Sequence, residues 1–286
     1  MPSGYAALNT TALPAATIED GSTAFDMVTY TGDGNSTRTI TNIGFSPDLV
    51  YTKARNQAYG QNWYDIVRTA GKVLRSDLTD AEATNHEHGY LSAFNSDGYT
   101  MSAGTTSAKN GNELNTTYVG WLWDAGSSTV SNTDGSITSS VRANQTAGFS
   151  IVKFTSTNTN NATVGHGLNA APEFILIKNI DSSEFWWAIH KYMHASPWND
   201  HTLQLNSTGA VTGSYGTFNN VAPTNSVINL ANTTTPAPNK GTDDKIMYCF
   251  APVAGYSSFG SYQGNGSSDG PFVYTGFRPA IIIQKR

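Results

Sequence analysis

Pro47-Asp48-Leu49-Val50-Tyr51-Thr52-Lys53 returns as Pro172-Glu173-Phe174-Ile175-Leu176-Ile177-Lys178 and once more as Pro279-Ala280-Ile281-Ile282-Ile283-Gln284-Lys285. A short, unbroken apolar run opened by a proline reads as a strand covered on both faces. Each run is preceded by an aromatic-led segment. These are Phe25 to Tyr30 with the turn Gly32-Asp33-Gly34, Phe149 to Phe154 with Gly167-Leu168, and Phe259 with Tyr262-Gln263-Gly264-Asn265-Gly266. The first two units close on aromatic strands, Tyr118-Val119-Gly120-Trp121-Leu122-Trp123 and Ile246-Met247-Tyr248-Cys249-Phe250-Ala251. A period of roughly 110 to 125 residues is too long for a solenoid unit and suits small domains strung in a row.

The expected organisation follows from this repeat. Residues 1–24 form an N-terminal arm, 25–126 a first β-sandwich repeat, 127–148 a linker without aromatic residues, and 149–256 a second repeat. Residues 257–286 are the start of an incomplete third repeat that depends on other chain to be completed. Short apolar runs punctuated by Gly, Asn and Asp are the strand-and-turn signature. The best helical candidate, Thr79 to Ala83, is one or two turns at most. Residues 206–240 read as a long loop with at most one strand, Val227-Ile228-Asn229-Leu230. The fold class is all-β, with tandem antiparallel β-sandwich modules.

Composition narrows the function. The chain has 286 residues, enough for two domains that each bury a core, and 11% are aromatic, which argues against disorder. A net charge of -5 without a basic cluster removes the electrostatic footprint of a nucleic-acid binder. No apolar stretch is long enough for a membrane-spanning helix, and residues 1–20 lack the pattern of a signal peptide. The single cysteine, Cys249, excludes an intrachain disulfide and reads as a buried strand residue.

Catalytic groups must converge. The acids of the first unit, including Asp65, Glu82, Asp97 and Asp124, form no alternating pattern that would put two carboxylates on one face, so no catalytic residue is assigned. His86 and His88 share a face only in a strand, and His190 and His194 only on a helix. Neither pair has an indicated third ligand, so no metal site and no cofactor are expected. Gln61-Asn62-Trp63-Tyr64-Asp65 is aligned with Glu184-Phe185-Trp186-Trp187-Ala188, whose tryptophans read as core. Asn95-Ser96-Asp97-Gly98-Tyr99 reads as a turn between strands. In the second unit, Pro197-Trp198-Asn199-Asp200-His201 has no counterpart in the first and reads as an exposed turn. Sugars bind by stacking on aromatic rings while polar side chains fix the hydroxyls, so Trp198, Asn199, Asp200 and His201 are the candidate glycan site.

Taken together, the motifs at Tyr30–Gly34, Ile43–Arg55, Phe94–Tyr99 and Tyr118–Gly126 resemble an uncharacterised module. It recurs in tail-fibre and other virion proteins of tailed phages, marine ones especially. Tyr248 to Gly266 resembles the junction between successive modules. The resemblance implies a jelly-roll similar to concanavalin A-like and SPRY sandwiches. It implies a virion appendage, and from that role follow the expectations of contacts with other virion proteins, a homo-oligomer such as a trimer, and attachment to a host-surface glycan. It supplies no catalytic residues.

Overall fold

The run after Pro47 is paired on both edges. Leu49 lies opposite Trp123 on one side and Asp65 on the other. The structure, a computed structural model, describes residues 16–285 apart from 195, 197, 199, 200, 211, 214–216 and 234–236. The first half contains β1 (Phe25–Thr31), β2 (Thr37–Thr41), β3 (Leu49–Ala54), β4 (Gln61–Asp65) and β5 (Lys72–Arg75). It continues through β6 (Ala83–Thr84), β7 (Tyr90–Asn95), β8 (Gly98–Ser102) and β9 (Thr117–Trp123). The second half contains β10 (Val130–Asn132), β11 (Ser139–Asn144), β12 (Phe149–Thr155), β13 (Ala162–Gly165) and β14 (Phe174–Asn179). It ends with β15 (Trp187–His190), β16 (His201–Gln204), β17 (Thr212–Gly213), β18 (Val227–Leu230) and β19 (Asp244–Phe250). The fold is all-β, and every strand pairing between these elements is antiparallel.

The two halves repeat one strand order. A six-stranded sheet runs β1-β9-β3-β4-β5-β6, and an eight-stranded sheet runs β10-β11-β12-β19-β14-β15-β16-β17. In both, the closing strand lies between the aromatic-led strand and the proline-led strand. The registers match too: Phe25 and Leu49 flank Trp123, as Phe149 and Phe174 flank Phe250. That register corrects one alignment. Leu49 faces Asp65 and Phe174 faces His190, so Trp63 is equivalent to Ala188 and not to Trp186. Trp63, Trp186 and Trp187 are nonetheless buried, as expected.

Each large sheet is covered on both faces. Val50, Tyr64 and Leu122 pack with Ile40, Tyr99 and Met101 of the three-stranded sheet β2-β8-β7. Val152, Ile175 and Cys249 pack with Val164, Ile228 and Leu230 of the two-stranded sheet β13-β18. The opposite faces meet each other: Leu49, Tyr51 and Trp63 share one core with Leu176, Trp186 and Tyr248. Two small sandwiches are therefore stacked through a common central core. This corrects the expectation of separate domains strung in a row. The unbroken apolar runs are apolar because one face meets the small sheet and the other meets the opposite half.

Three other expectations are corrected. Residues 127–148 are not a linker, because β11 pairs along β12 and Ile137 and Val141 are buried. Thr79 to Ala83 forms no helix. Its backbone pairs instead with the other half, where the Thr79 carbonyl accepts from Glu184 N–H and Lys178 Nζ, and Glu82 N–H reaches the Ile180 carbonyl. Within 206–240, β18 stands where expected, and β17 adds a second, two-residue strand. Residues 258–285 carry no strand at all, and Phe272 and Ile282 are 83% and 76% exposed. Phe259 alone of its aromatic residues stacks on the body, against Phe174 and Phe250.

Candidate functional site

The loop from β15 to β16 spans residues 191–200, whereas the equivalent turn from β4 to β5 spans only 66–71. In the first half that turn is sealed. Arg68 ion-pairs with the buried Asp65, which also accepts from Tyr248 Oη at 2.7 Å, and Arg68 Nη1 reaches Glu82 at 3.1 Å. Burial opposes the Arg68 charge, but Asp65, Tyr248 and Glu82 outweigh it and hold the guanidinium charged. His190 stands where Asp65 does, and burial lowers its basicity. Its Nδ1 accepts from Tyr192 N–H at 3.0 Å and so turns the chain outward.

The longer loop presents aromatic and imidazole rings. Tyr192 is exposed with Lys191 Nζ 5.1 Å from its ring centre, and Lys191 is itself held by Glu173 at 2.7 Å. His194 stacks on His201 at 4.4 Å between ring centres, where His201 opens β16. Trp198 departs from the exposed turn expected of it. It is half-buried against the outer core, with its ring 6.2 Å from that of Phe218 and its N–H bonded to the Lys191 carbonyl. Its φ of 58° lies in the left-handed region, uncommon for an aromatic residue. Asn199 and Asp200 lie outside the described residues. Of the four candidate residues, the structure therefore brings Trp198 and His201 to one loop and adds Tyr192 and His194. The histidine stack joins residues on opposite ends of the loop, a pairing that helical or strand spacing does not signal.

The other candidates have structural roles. The Asp97 carboxylate accepts the N–H groups of Asn42, Ile43 and Gly44 at 2.9–3.2 Å, which lowers its pKa and fixes the turn before β3. Gly98 is required there, because a Cβ would sit 1.9 Å from the Ile40 carbonyl oxygen. Glu82 ion-pairs with Arg68 and Lys72. Burial pushes the Cys249 thiol well up, away from reactivity. His86 and His88 are neighbours in the loop after β6, with rings 5.4 Å apart. Among the described residues no group of three or more His, Cys, Asp or Glu is placed to hold a metal ion.

Comparison with known proteins gives no significant match to a curated protein or to a solved structure. One family model, described as Domain of unknown function (DUF7483), matches residues 20–286. It runs through both stacked halves and the C-terminal segment, and the chain belongs to that family.

Proposed function

We propose that this chain is a structural protein of a phage virion, a tail fibre or related appendage, whose exposed loops attach to a host-surface glycan. The observation that carries the reading is the loop 191–200. It is longer than the shared fold requires and presents Tyr192 together with the His194–His201 stack. An aromatic face beside imidazole donors suits a sugar ring and its hydroxyls. The reading is supported by the motif resemblance to virion modules, which makes other virion proteins and further copies of the chain, as in a trimer, its expected partners. Weak single sites then gain avidity when several copies act together. The chain is read as a binder without turnover, since Asp65, Glu82 and Asp97 are all held in structural contacts.

A second reading, an architectural component without receptor contact, is favoured by the exposed apolar residues between Phe272 and Ile283, which suit association with another polypeptide. A glycan array with the purified full chain separates the two. Under the attachment reading it registers glycans whose signal falls in a Tyr192→Ala, His194→Ala double variant of unchanged melting temperature. A blank array together with unimpaired virion assembly supports the architectural reading. Release of reducing sugar from a bound polysaccharide would contradict both.

A further inference from the structure

A recess lies in the first half, away from the loop 191–200 in sequence and built by other elements. It has a volume of about 170 Å³ and is walled by the loop before β4, the end of β5, and the loops after β6 and β8. Its lining includes Tyr59, Gly60, Arg75, His88, Lys109 and Asn110. Cationic side chains thus converge on one small hollow in a chain of net charge -5.

The wall is ordered by specific contacts. Lys53 Nζ donates to the Tyr59 carbonyl and pins the loop. Gly60 lets the Arg75 guanidinium lie flat against the backbone, where a Cβ would stand 2.5 Å from Arg75 Nε. Arg75 Nη2 binds Asp77 at 2.8 Å, but its buried Nε has no hydrogen-bond partner. Lys109 Nζ lies 5.8 Å from the centre of the Tyr59 ring and has no carboxylate within ion-pair distance among the described residues. His88 Nδ1 is engaged by Ser107 Oγ at 3.1 Å while its Nε2 lies 3.8 Å from Glu87, and Asn110 is anchored by donating to the Gly89 carbonyl at 2.8 Å.

A lone ammonium, a guanidinium shared with Asp77, an aromatic ring and an imidazole form a set that suits one negative charge on a small ring-shaped group. The hollow is smaller than the roughly 300–1,000 Å³ of pockets for larger ligands, so it takes a single residue. We propose that the recess is a subsite for the carboxylate-bearing sugar of an acidic polysaccharide, a uronic or sialic acid unit. Lys109 and Arg75 face the carboxylate and Tyr59 faces the ring. The proposal rests on the attachment reading and gives it a substrate class, while using residues separate from the loop 191–200.

The test compares tetragalacturonate with its fully methyl-esterified form, the same chain without charge, by calorimetric titration of the full protein at low salt. The acid is expected to bind with a dissociation constant on the order of 1 mM, and the ester about tenfold more weakly or not at all. Lys109→Glu is expected to lose binding about tenfold or more, while Lys109→Arg retains it. Gly60→Ala, which displaces only the flexible end of Arg75, should weaken binding at an unchanged melting temperature. The Tyr192→Ala, His194→Ala double variant should bind as the parent does. Equal binding of acid and ester, no binding of the acid at about 10 mM, wild-type binding by Lys109→Glu, or equal competition by inorganic sulfate would each overturn the proposal. Array signals that need Tyr192 but never carboxylate would leave the attachment reading standing without this subsite. Tetragalacturonate binding by a protein absent from virions would do the reverse.

Discussion

Asp48 immediately precedes β3 with a fully buried carboxylate. One oxygen lies 2.8 Å from Arg142 Nη2 in the other half, and the other accepts Ala125 N–H. Burial outweighs Arg142 and raises its pKa to about 6, above the ordinary 3.8. The folded protein therefore binds a proton that the unfolded chain releases. The contribution is fully present below about pH 4 and is lost as pH rises through about 6. Asp33, Asp97 and Asp243 are shifted downward by hydrogen bonds, so their contribution has the opposite sign and is lost as pH falls below their ordinary range. Asp48→Asn is expected to remove the decline in melting temperature between about pH 4 and 6 and leave the acid limb intact, as thermal melts across pH would show. A steeper loss is expected at Arg68. Replacing it by Leu strands Asp65 without its cation and should cost about 3–5 kcal/mol in urea unfolding. The lysine that ends the repeated motif also acts structurally. Lys53, Lys178 and Lys285 each donate to a backbone carbonyl, of Tyr59, of Thr79 and Asn179, and of Ser207 respectively.

Among the elements, the loop 191–200 and the C-terminal segment differ most from the shared pattern. Trp198 packs half its surface on the outer core, so Trp198→Ala is expected to cost about 1–2 kcal/mol of stability, read by chemical denaturation. A binding defect in that variant would then report the loop's shape as well as the ring itself. The double Tyr192/His194 variant leaves the outer core intact because both residues are exposed. The C-terminal segment repeats the motif but not the structure. In the first half β1 and β3 are never neighbours, because β9 lies between them. Among the described residues no strand joins the corresponding runs of the C-terminal segment, and its apolar residues stay exposed. Ending the chain after Phe259 is expected to shift the melting temperature by about 2 °C or less and to reduce binding of a hydrophobic dye. A larger drop would show that residues 260–285 belong to the body of the second half.

Across the whole molecule, the shared core decides what can fold alone. Leu49, Tyr51 and Trp63 from one half and Leu176, Trp186 and Tyr248 from the other exclude water together, and Trp63 and Trp186 lie 5.4 Å apart between ring centres. Polar links cross the same interface, from Trp186 Nε1 to the Arg75 carbonyl at 2.9 Å and from Asn144 to Asp124 at 2.8 Å. Residues 25–126 expressed alone would expose a face that the intact chain buries. They are expected to bind hydrophobic dye and to lack a cooperative unfolding transition, while the full chain unfolds in a single step. Independent cooperative melting of 25–126 would show that the central core is dispensable.

The sequence by itself determined the aromatic-led, proline-led and closing strands of each half, and that the two halves share one order. Proline-led apolar runs, Gly-Asp-Gly turns and aromatic closing strands are local signals, set by the two-residue period of a strand and by turn chemistry. It also determined that Leu49–Tyr51 and Phe174–Ile177 are covered on both faces, since both runs are apolar without alternation. Only the tertiary structure decided what covers the second face. It placed the opposite half there, turned residues 127–148 into strands of the second sheet, and matched Trp63 with Ala188. It also brought His194 onto His201 and gathered Arg75, His88 and Lys109 around Gly60. Each of these rests on contacts between separate segments of the chain, and a local pattern records that a surface is apolar or a charge is spare without recording what it meets.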